Sequence, residues 1–394
     1  MPRKSTKRNA QGNGSIRQRK DGTWEARYTL GRDPGTGKQL QKSIYGATQK
    51  EVREKLQKIS VEISEGTHVE PSKMPVSEWL DIWLSEYTAN VKPNTIVTYR
   101  VQVKHHIKPF IGRVSLSALR PHQIQTMYNR LGAGDETNKP LSPKSIKNVH
   151  GVLHRALDQA VLLSYIAKNP CIGVRLPRIE RAVMHPLDDD QIKKYLDLSK
   201  SNTYGDLFFV TLFTGMRQSE VMGLTWSCVD FERGTIYVDR QLVYEKKKGG
   251  AYVFAPPKND IPRTITPAPM VMQRLKIVRG KQLKAKLSAG PAWKNEMDLV
   301  FTDAWGHHYA HNTLSHNCKR LATQIGVPEF RFHDLRHTYA VASLRAGDDI
   351  KTVQQNLGHA TAAFTLDRYA HVTDQMRCES AQRMDSFIQR LTSS

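Results

Sequence analysis

The stretch His333-Asp334-Leu335-Arg336-His337-Thr338 decides how the rest of this chain is read. His333 and Arg336 lie three residues apart, so a helix would set an imidazole and a guanidinium side by side. Three further segments of the same half carry related chemistry. Thr214-Gly215-Met216-Arg217-Gln218-Ser219-Glu220 places a second arginine just after a glycine turn, and Leu224-Thr225-Trp226 follows it. Lys258 sits in the turn-forming run Pro256-Pro257-Lys258-Asn259-Asp260. Leu357-Gly358-His359 is followed, ten residues after the histidine, by Tyr369. Singly, each has an ordinary explanation, since an arginine after a turn or a tyrosine among charges is usually a surface or half-buried residue. Together they supply two guanidinium groups, an ammonium, two imidazoles and a phenol, a set suited to a phosphodiester. The arginines offer planar forks that match nonbridging phosphate oxygens, which a lysine point charge does not.

The charge of the whole chain points the same way. Its 394 residues hold 59 Lys and Arg against 37 Asp and Glu, a formal net charge of +22. So basic a protein usually meets a polyanion, most often nucleic acid. Residues 1–180 carry a net +15 and the remaining 214 a net +7, so the positive charge is densest outside the segments just quoted. No run approaches the roughly 18 apolar residues of a membrane span, and Met1 to Gly12 contains no apolar signal core. Cys171, Cys228, Cys318 and Cys378 lie far apart with no C-x-x-C pair, which argues against a disulfide scaffold and a cysteine zinc site. A reduced cytosol is expected.

Three domains are expected along the chain. Residues 1–66 open with a basic, aperiodic arm (1–13) expected to be disordered. Ser15–Lys20 and Thr23–Leu30 then read as strands joined by the hairpin signal Asp21-Gly22, with Leu40–Tyr45 as a third. A helix from Gln49 to Ile63 carries Val52, Leu56, Ile59 and Ile63 in one stripe. Alternation turns Trp24, Ala26 and Tyr28 toward that helix and leaves Glu25 and Arg27 outward, near Arg17 and Arg19. Such an arginine row fits the major groove of DNA; an ordinary solvated sheet face is the other reading. Residues 75–174 follow a helical pattern in which Val76, Trp79, Leu80 and Trp83 share a face, and Lys92-Pro93 and Ser142-Pro143 start helices. Residues 175–186 form a basic linker that could track a phosphate backbone. Residues 187–394 mix helices with short strands at Thr235–Val238, Gln241–Tyr244, Ala251–Phe254 and Arg263–Ile265, and end in a helix over about 374–391. The fold class expected is multidomain α+β: a three-stranded sheet with one helix, a helical domain, and a mostly α-helical domain with a small antiparallel sheet.

Arg217, Lys258, His333, Arg336, His359 and Tyr369, in that order, resemble the catalytic signature of the tyrosine recombinases. The flanking words agree: T-G-M-R-x-x-E with L-x-W, H-D-L-R-H-T, and L-G-H before the tyrosine. Asn94-Thr95 with Tyr99-Arg100 is similar to the start of a core-binding helix in that family, and Ala160 with Asn169-Pro170 to the end of that domain. The N-terminal sheet and helix resemble the arm-binding domain of integrases from phages and conjugative transposons. One departure stands out: Lys258 is followed by Asn259-Asp260, where the family often has Thr or Ser. Lys246, Lys247 and Lys248 lie close by as alternatives.

The resemblance implies a site-specific recombinase (integrase) that integrates and excises a mobile element through a 3′-phosphotyrosine intermediate and a Holliday junction. Tyr369 would attack phosphorus, Arg217 and Arg336 would clamp the nonbridging oxygens, and Lys258 would protonate the leaving 5′ oxygen. His333 would serve as base and His359 as a phosphate donor. Glu220 either steadies Arg217 or forms a plain helix salt bridge. Lys92, Thr95, Tyr99, Arg100, Lys144, Lys147, Arg175 and Arg178 are expected to meet core DNA, and Arg17, Arg19 and Arg27 arm DNA. Neither metal nor ATP is implied; His307, His308, His311 and His316 are close in sequence but lack a completing ligand. Partners implied are double-stranded DNA at core-type and arm-type sites, a homotetramer, and an excisionase or DNA-bending protein. The last helix either packs on its own domain or docks on a neighbour. A type IB topoisomerase and a catalytically silent DNA-binding regulator are the alternatives.

Overall fold

The computed structural model describes residues 15–32, 35–64, 73–136, 139–180, 186–245, 250–257, 261–358, 381–382 and 384–392. Contacts divide the chain into residues 1–181 and 182–394.

In the first unit, β1 (Ser15–Gln18), β2 (Trp24–Arg32) and β3 (Gln39–Gly46) form an antiparallel sheet in chain order. The first turn closes because Gly22 takes φ +83° and the Asp21 carboxylate accepts from both the amide and the hydroxyl of Thr23. α1 (Gln49–Ser64) buries Val52 and Leu56 against Ala26, with Ile16, Trp24, Tyr28 and Ile44 around them. The period-2 alternation of the strands is thus realised, with one difference. Glu25 lies on the outward face but is only 3% exposed, because Arg17, Arg27 and Ser43 close over it.

The remainder of that unit has its own apolar core. It comprises α2 (Val76–Glu86), α3 (Pro93–Gln102), which continues through a π-type turn at Val103–Ile107, α4 (Lys108–Ile111), α5 (Pro121–Ala133) and α6 (Pro143–Leu162). Val76, Trp79, Leu80 and Trp83 are all buried, as their common stripe requires. The Trp79 indole N–H donates to the Ala156 carbonyl at 2.9 Å, so a large apolar ring is buried without leaving its polar atom unmet. Pro93 and Pro143 each occupy the first helical position, where a missing N–H is harmless, and Ser142 caps α6 by accepting from the Ser145 amide.

The second unit is built around α8 (Gly205–Thr214), whose residues Leu207 to Leu212 are buried on every side. A helix apolar all round needs a wrapping. α7 (Asp189–Ser199) packs on it, as do α9 (Gln218–Met222), α10 (Pro269–Ala289) and α12 (Phe332–Arg345). Asp188 caps α7, its carboxylate accepting from the Gln191 amide at 2.8 Å. Two small antiparallel sheets complete the unit: β4 (Val229–Asp230), β5 (Thr235–Val238) and β8 (Arg263–Ile265) in the order β4-β5-β8, and β6 (Gln241–Glu245) with β7 (Ala251–Ala255). α11 (His311–Gln324) lies against α7 and α12, and α13 (Ile350–Leu357) against α12 and β8. Residues 381–382 and 384–392 are helical and exposed throughout. The mixed α+β class expected from the sequence is the class found.

Candidate active site and DNA-contact residues

Three arginines from distant parts of the chain converge on one helix end. α8 stops at Gly215, which adopts φ +64° where any Cβ would lie 2.4 Å from the Tyr339 ring and 2.7 Å from Leu357. Only glycine lets the backbone pass so close. The turn delivers Arg217 to the start of α9, where Glu220 accepts from the Arg217 amide at 2.8 Å and from its guanidinium at 2.7 Å. α13 ends at Gly358 in the left-handed region (φ +63°), leaving its last carbonyls without intrahelical donors. Those carbonyls take guanidinium donors instead. Arg263 Nε donates to Asn356 O at 2.7 Å, Arg336 Nη2 to Leu357 O, and Arg217 Nη2 to Gly358 O at 3.3 Å. Arg336 also donates to Gly215 O at 2.7 Å and is 2% exposed. The negative end of a helix dipole thus gathers positive charge.

Glu220 is the counterweight. Its side chain is fully buried, and besides Arg217 it accepts from Arg263 at 3.1 and 2.7 Å. Burial alone would raise its carboxyl, but hydrogen bonds and charge from Arg263, with the charge of Arg217, hold it down at about 2. Of the two readings open for Glu220, the structure shows a buried double clamp and not a surface pair. Arg217 and Arg263 on one carboxylate, with Arg336 on the neighbouring carbonyls, leave the cluster net positive, which favours an anion. His333 opens α12 beside it. Crowding by protein, then His337 and the guanidiniums of Arg336 and Arg217, push its imidazole down to about 4, against a smaller opposing pull from Asp334. The His333 and His337 rings meet edge to face at 4.9 Å.

Arg217, His333 and Arg336 are therefore brought together. Lys258, its alternatives Lys246, Lys247 and Lys248, and His359 and Tyr369 lie outside the described residues. Gly358, the residue before His359, is part of the cluster. Tyr339, another tyrosine of this region, is engaged elsewhere: Asn356 donates to its hydroxyl at 3.0 Å, and burial pushes its phenol up. Arg263 is the member that sequence reasoning did not single out. Its only signal was a charged residue in a short strand directly after the turn of Lys258.

The clustered histidines have separate occupations. His307 faces Asp303 at 3.3 Å, and His308 packs on the Tyr252 ring at 4.3 Å. Among the described residues no three His, Cys, Asp or Glu side chains are grouped to hold a metal, and no helix is long and apolar enough to cross a membrane.

Of the residues expected to meet DNA, Lys92, Arg100, Lys144, Lys147, Arg175 and Arg178 are exposed and Thr95 is partly so. Tyr99 needs correction. It is 7% exposed, stacked on Trp83 at 5.7 Å, and its hydroxyl accepts from Arg155. Tyr99 is a core residue. In the sheet, Arg17 and Arg27 are 59% and 46% exposed while both hold Glu25. Arg19 lies near Asp21 at 3.6 Å and over the Tyr45 ring at 5.3 Å.

The described site is a cluster of arginines around a helix end with an imidazole beside it. Comparison with known proteins makes the class definite. Residues 186–376 match the phage integrase family, and residues 76–132 match the phage integrase N-terminal SAM-like domain. A tyrosine recombinase described as XerC-like, from Caldanaerobacter subterraneus subsp. tengcongensis, is 30% identical over 380 residues, covering 91% of this chain and 95% of the relative. The chain belongs to the tyrosine recombinases, which are site-specific recombinases. A structure of part of the Tn1549 transposon integrase with transposon right end DNA superposes with a TM-score of 0.67 at 23% identity, covering 79% of this chain and 100% of that one. A lambda integrase tetramer on a Holliday junction gives 0.53 at 19% identity, covering 90% and 97%.

Proposed function

We propose that this recombinase is an integrase that cuts and rejoins DNA through a covalent 3′-phosphotyrosine at Tyr369, moving a mobile element into and out of a bacterial chromosome. The observation that carries the reading is the convergence of Arg217 and Arg336 on the end of α13, one residue before His359 in the sequence, with His333 beside the two guanidiniums. Arg217 and Arg336 clamp the nonbridging oxygens, and because Glu220 and the helix carbonyls already hold them, no reorganisation is needed as charge builds on phosphorus. His333 is neutral near pH 7 and can accept the phenol proton; a bound phosphate offsets the neighbouring guanidiniums and raises its basicity. His359 donates to a phosphate oxygen. Lys258 gives a proton to the departing 5′ oxygen, too basic a leaving group to go unaided. The phosphotyrosine stores the bond energy, so rejoining needs neither ATP nor metal.

Residues 1–66 are assigned to arm-type DNA, 75–174 with Lys92, Thr95, Arg100, Lys144 and Lys147 to core-type DNA, and the 175–186 linker with Arg175 and Arg178 to the phosphate backbone. The helix at 384–392 exposes Met384, Phe387, Ile388 and Leu391. That apolar stripe supports docking on a second copy of the chain, and a tetramer on DNA is assigned by likeness to the lambda integrase assembly. An excisionase or DNA-bending protein as a further partner, and a cytoplasmic location, belong to the same reading.

Trapping on a nicked duplex tests it. The chain should form an SDS-resistant adduct with DNA and then yield recombinant joints. An adduct with relaxation but no joints would make it a topoisomerase, and binding without an adduct a silent regulator.

A further inference from the structure

The outward face of the N-terminal sheet holds a carboxylate where a DNA-binding surface would be expected to avoid one. Glu25 is 3% exposed and is fixed from all three strands. Arg17 of β1 donates to its Oε2 from Nε at 2.7 Å, and its Nη2 forms an ion pair with the same oxygen at 2.7 Å. Arg27 of β2 donates to Oε1 from Nε at 3.1 Å, and Ser43 of β3 donates to Oε1 at 2.8 Å. The cross-strand register sets Arg17 opposite Glu25, and Arg27 opposite Ser43, so the four side chains share one face.

Both arginines lean on the carboxylate through the Nε side. That leaves Nη1 of Arg17 and both Nη atoms of Arg27 outside the contact with Glu25, on side chains that are 59% and 46% exposed. A phosphate contact would gain nothing from a neighbouring anion, which lowers the local positive charge. Reading a base edge is different: it needs direction more than charge. A guanidinium fork meeting the O6 and N7 acceptors of guanine in the major groove is the pairing that needs such aim. The Ser43 hydroxyl, then Arg17 and Arg27, keep Glu25 ionised against the opposing effect of burial, with its carboxyl at about 2, so the brace is present at every physiological pH.

We infer that Glu25 is a specificity-determining residue that braces Arg17 and Arg27 so that their free forks each read a guanine in the major groove of arm-type DNA. This rests on the assignment of residues 1–66 to arm DNA. Arg19, stacked on Tyr45, lies outside the brace and takes the backbone role.

The test uses the full chain and a randomised duplex pool. The parent should enrich two motifs, and Arg17→Ala/Arg27→Ala should lose one of them. In duplexes of that motif, 7-deazaguanine, which lacks the N7 acceptor, should weaken binding by the parent about tenfold at each read guanine. Glu25→Gln should bind the motif about tenfold more weakly, be indifferent to 7-deazaguanine, and bind random duplex more tightly because one negative charge is gone. If Glu25→Gln strengthens motif and random binding in parallel, or if 7-deazaguanine leaves the parent's binding unchanged, the brace is wrong. If the double arginine variant loses no motif, the sheet does not contact DNA, and the arm assignment fails with it. The 7-deazaguanine arm requires no substitution in the protein, so a folding defect cannot imitate its result.

Discussion

Glu25 and Glu220 each hold two arginines, and each is held near a pKa of about 2. Around Glu25 the arginines are half exposed and point into solvent, and the Ser43 hydroxyl contributes most to keeping the carboxylate ionised. Around Glu220 the arginines are 17% and 8% exposed and reach onward to backbone carbonyls of Gly358 and Asn356. The same three-group chemistry aims side chains outward in one place and ties backbone segments together in the other. Both carboxylates are covered, and the burial of their arginines makes the difference. An exposed pair is screened and worth little to the fold, whereas a buried carboxylate removed from its arginines leaves charges with nowhere to go.

That contrast can be broken most directly at the two carboxylates. Glu220→Ala should strand Arg217 and Arg263 and cost about 3 kcal/mol or more, read from urea denaturation of the second unit's transition. Glu25→Ala should barely move any transition while changing DNA discrimination. Equal losses at both sites would dissolve the distinction. Next in size is Gly215→Ala, which adds a left-handed alanine and a Cβ 2.4 Å from Tyr339. It should cost roughly 2–4 kcal/mol, against about 1 for Gly234→Ala, whose φ is +67° but whose surroundings are open.

Arg263→Lys should be smaller, roughly 1–2 kcal/mol in stability. It keeps the charge but cannot bridge Glu220 and Asn356 O with one planar fork. Single-turnover cleavage should slow while DNA affinity holds, as befits a residue that positions Arg217; a parallel fall in affinity would place Arg263 on DNA. The smallest effect concerns pH. His333 has a folded pKa of about 4, below the unfolded value of 6.5, so between those values the unfolded chain binds the extra proton. Stability should therefore fall as pH drops from 6.5 toward 4. The residue as a whole is exposed although protein crowds its ring, so solvent screens the effect and the loss should stay within about 1 kcal/mol. His333→Gln should flatten that slope, and an unchanged slope would assign it to other groups.

How far these sites could be read in advance follows from their physics. Stripes such as Val76, Trp79, Leu80 and Trp83, and the alternation of Trp24, Ala26 and Tyr28, depend on local periodicity and were legible. Arg217, His333 and Arg336 were legible as residue types in a familiar order. Arg263 was not, because its role exists only where β8 crosses the end of α13, 93 residues away along the chain. Alternation placed Glu25 outward correctly but could not tell that arginines from neighbouring positions would cover it. Tyr99 stood in a motif suggestive of DNA contact, yet the stack on Trp83 depends on how α2 and α3 pack, which spacing within α3 does not encode.

A covalent bond at one tyrosine is the central step of the proposed reaction. On a nicked duplex labelled on either side of the cut, the parent should retain the strand through its 3′ phosphate and release a 5′-hydroxyl fragment, and peptide mapping should find the DNA on Tyr369. Tyr369→Phe, which keeps the ring and loses only the attacking oxygen, should bind the same duplex and form no adduct. An adduct that survives Tyr369→Phe, or one linked through the 5′ end, would contradict the account.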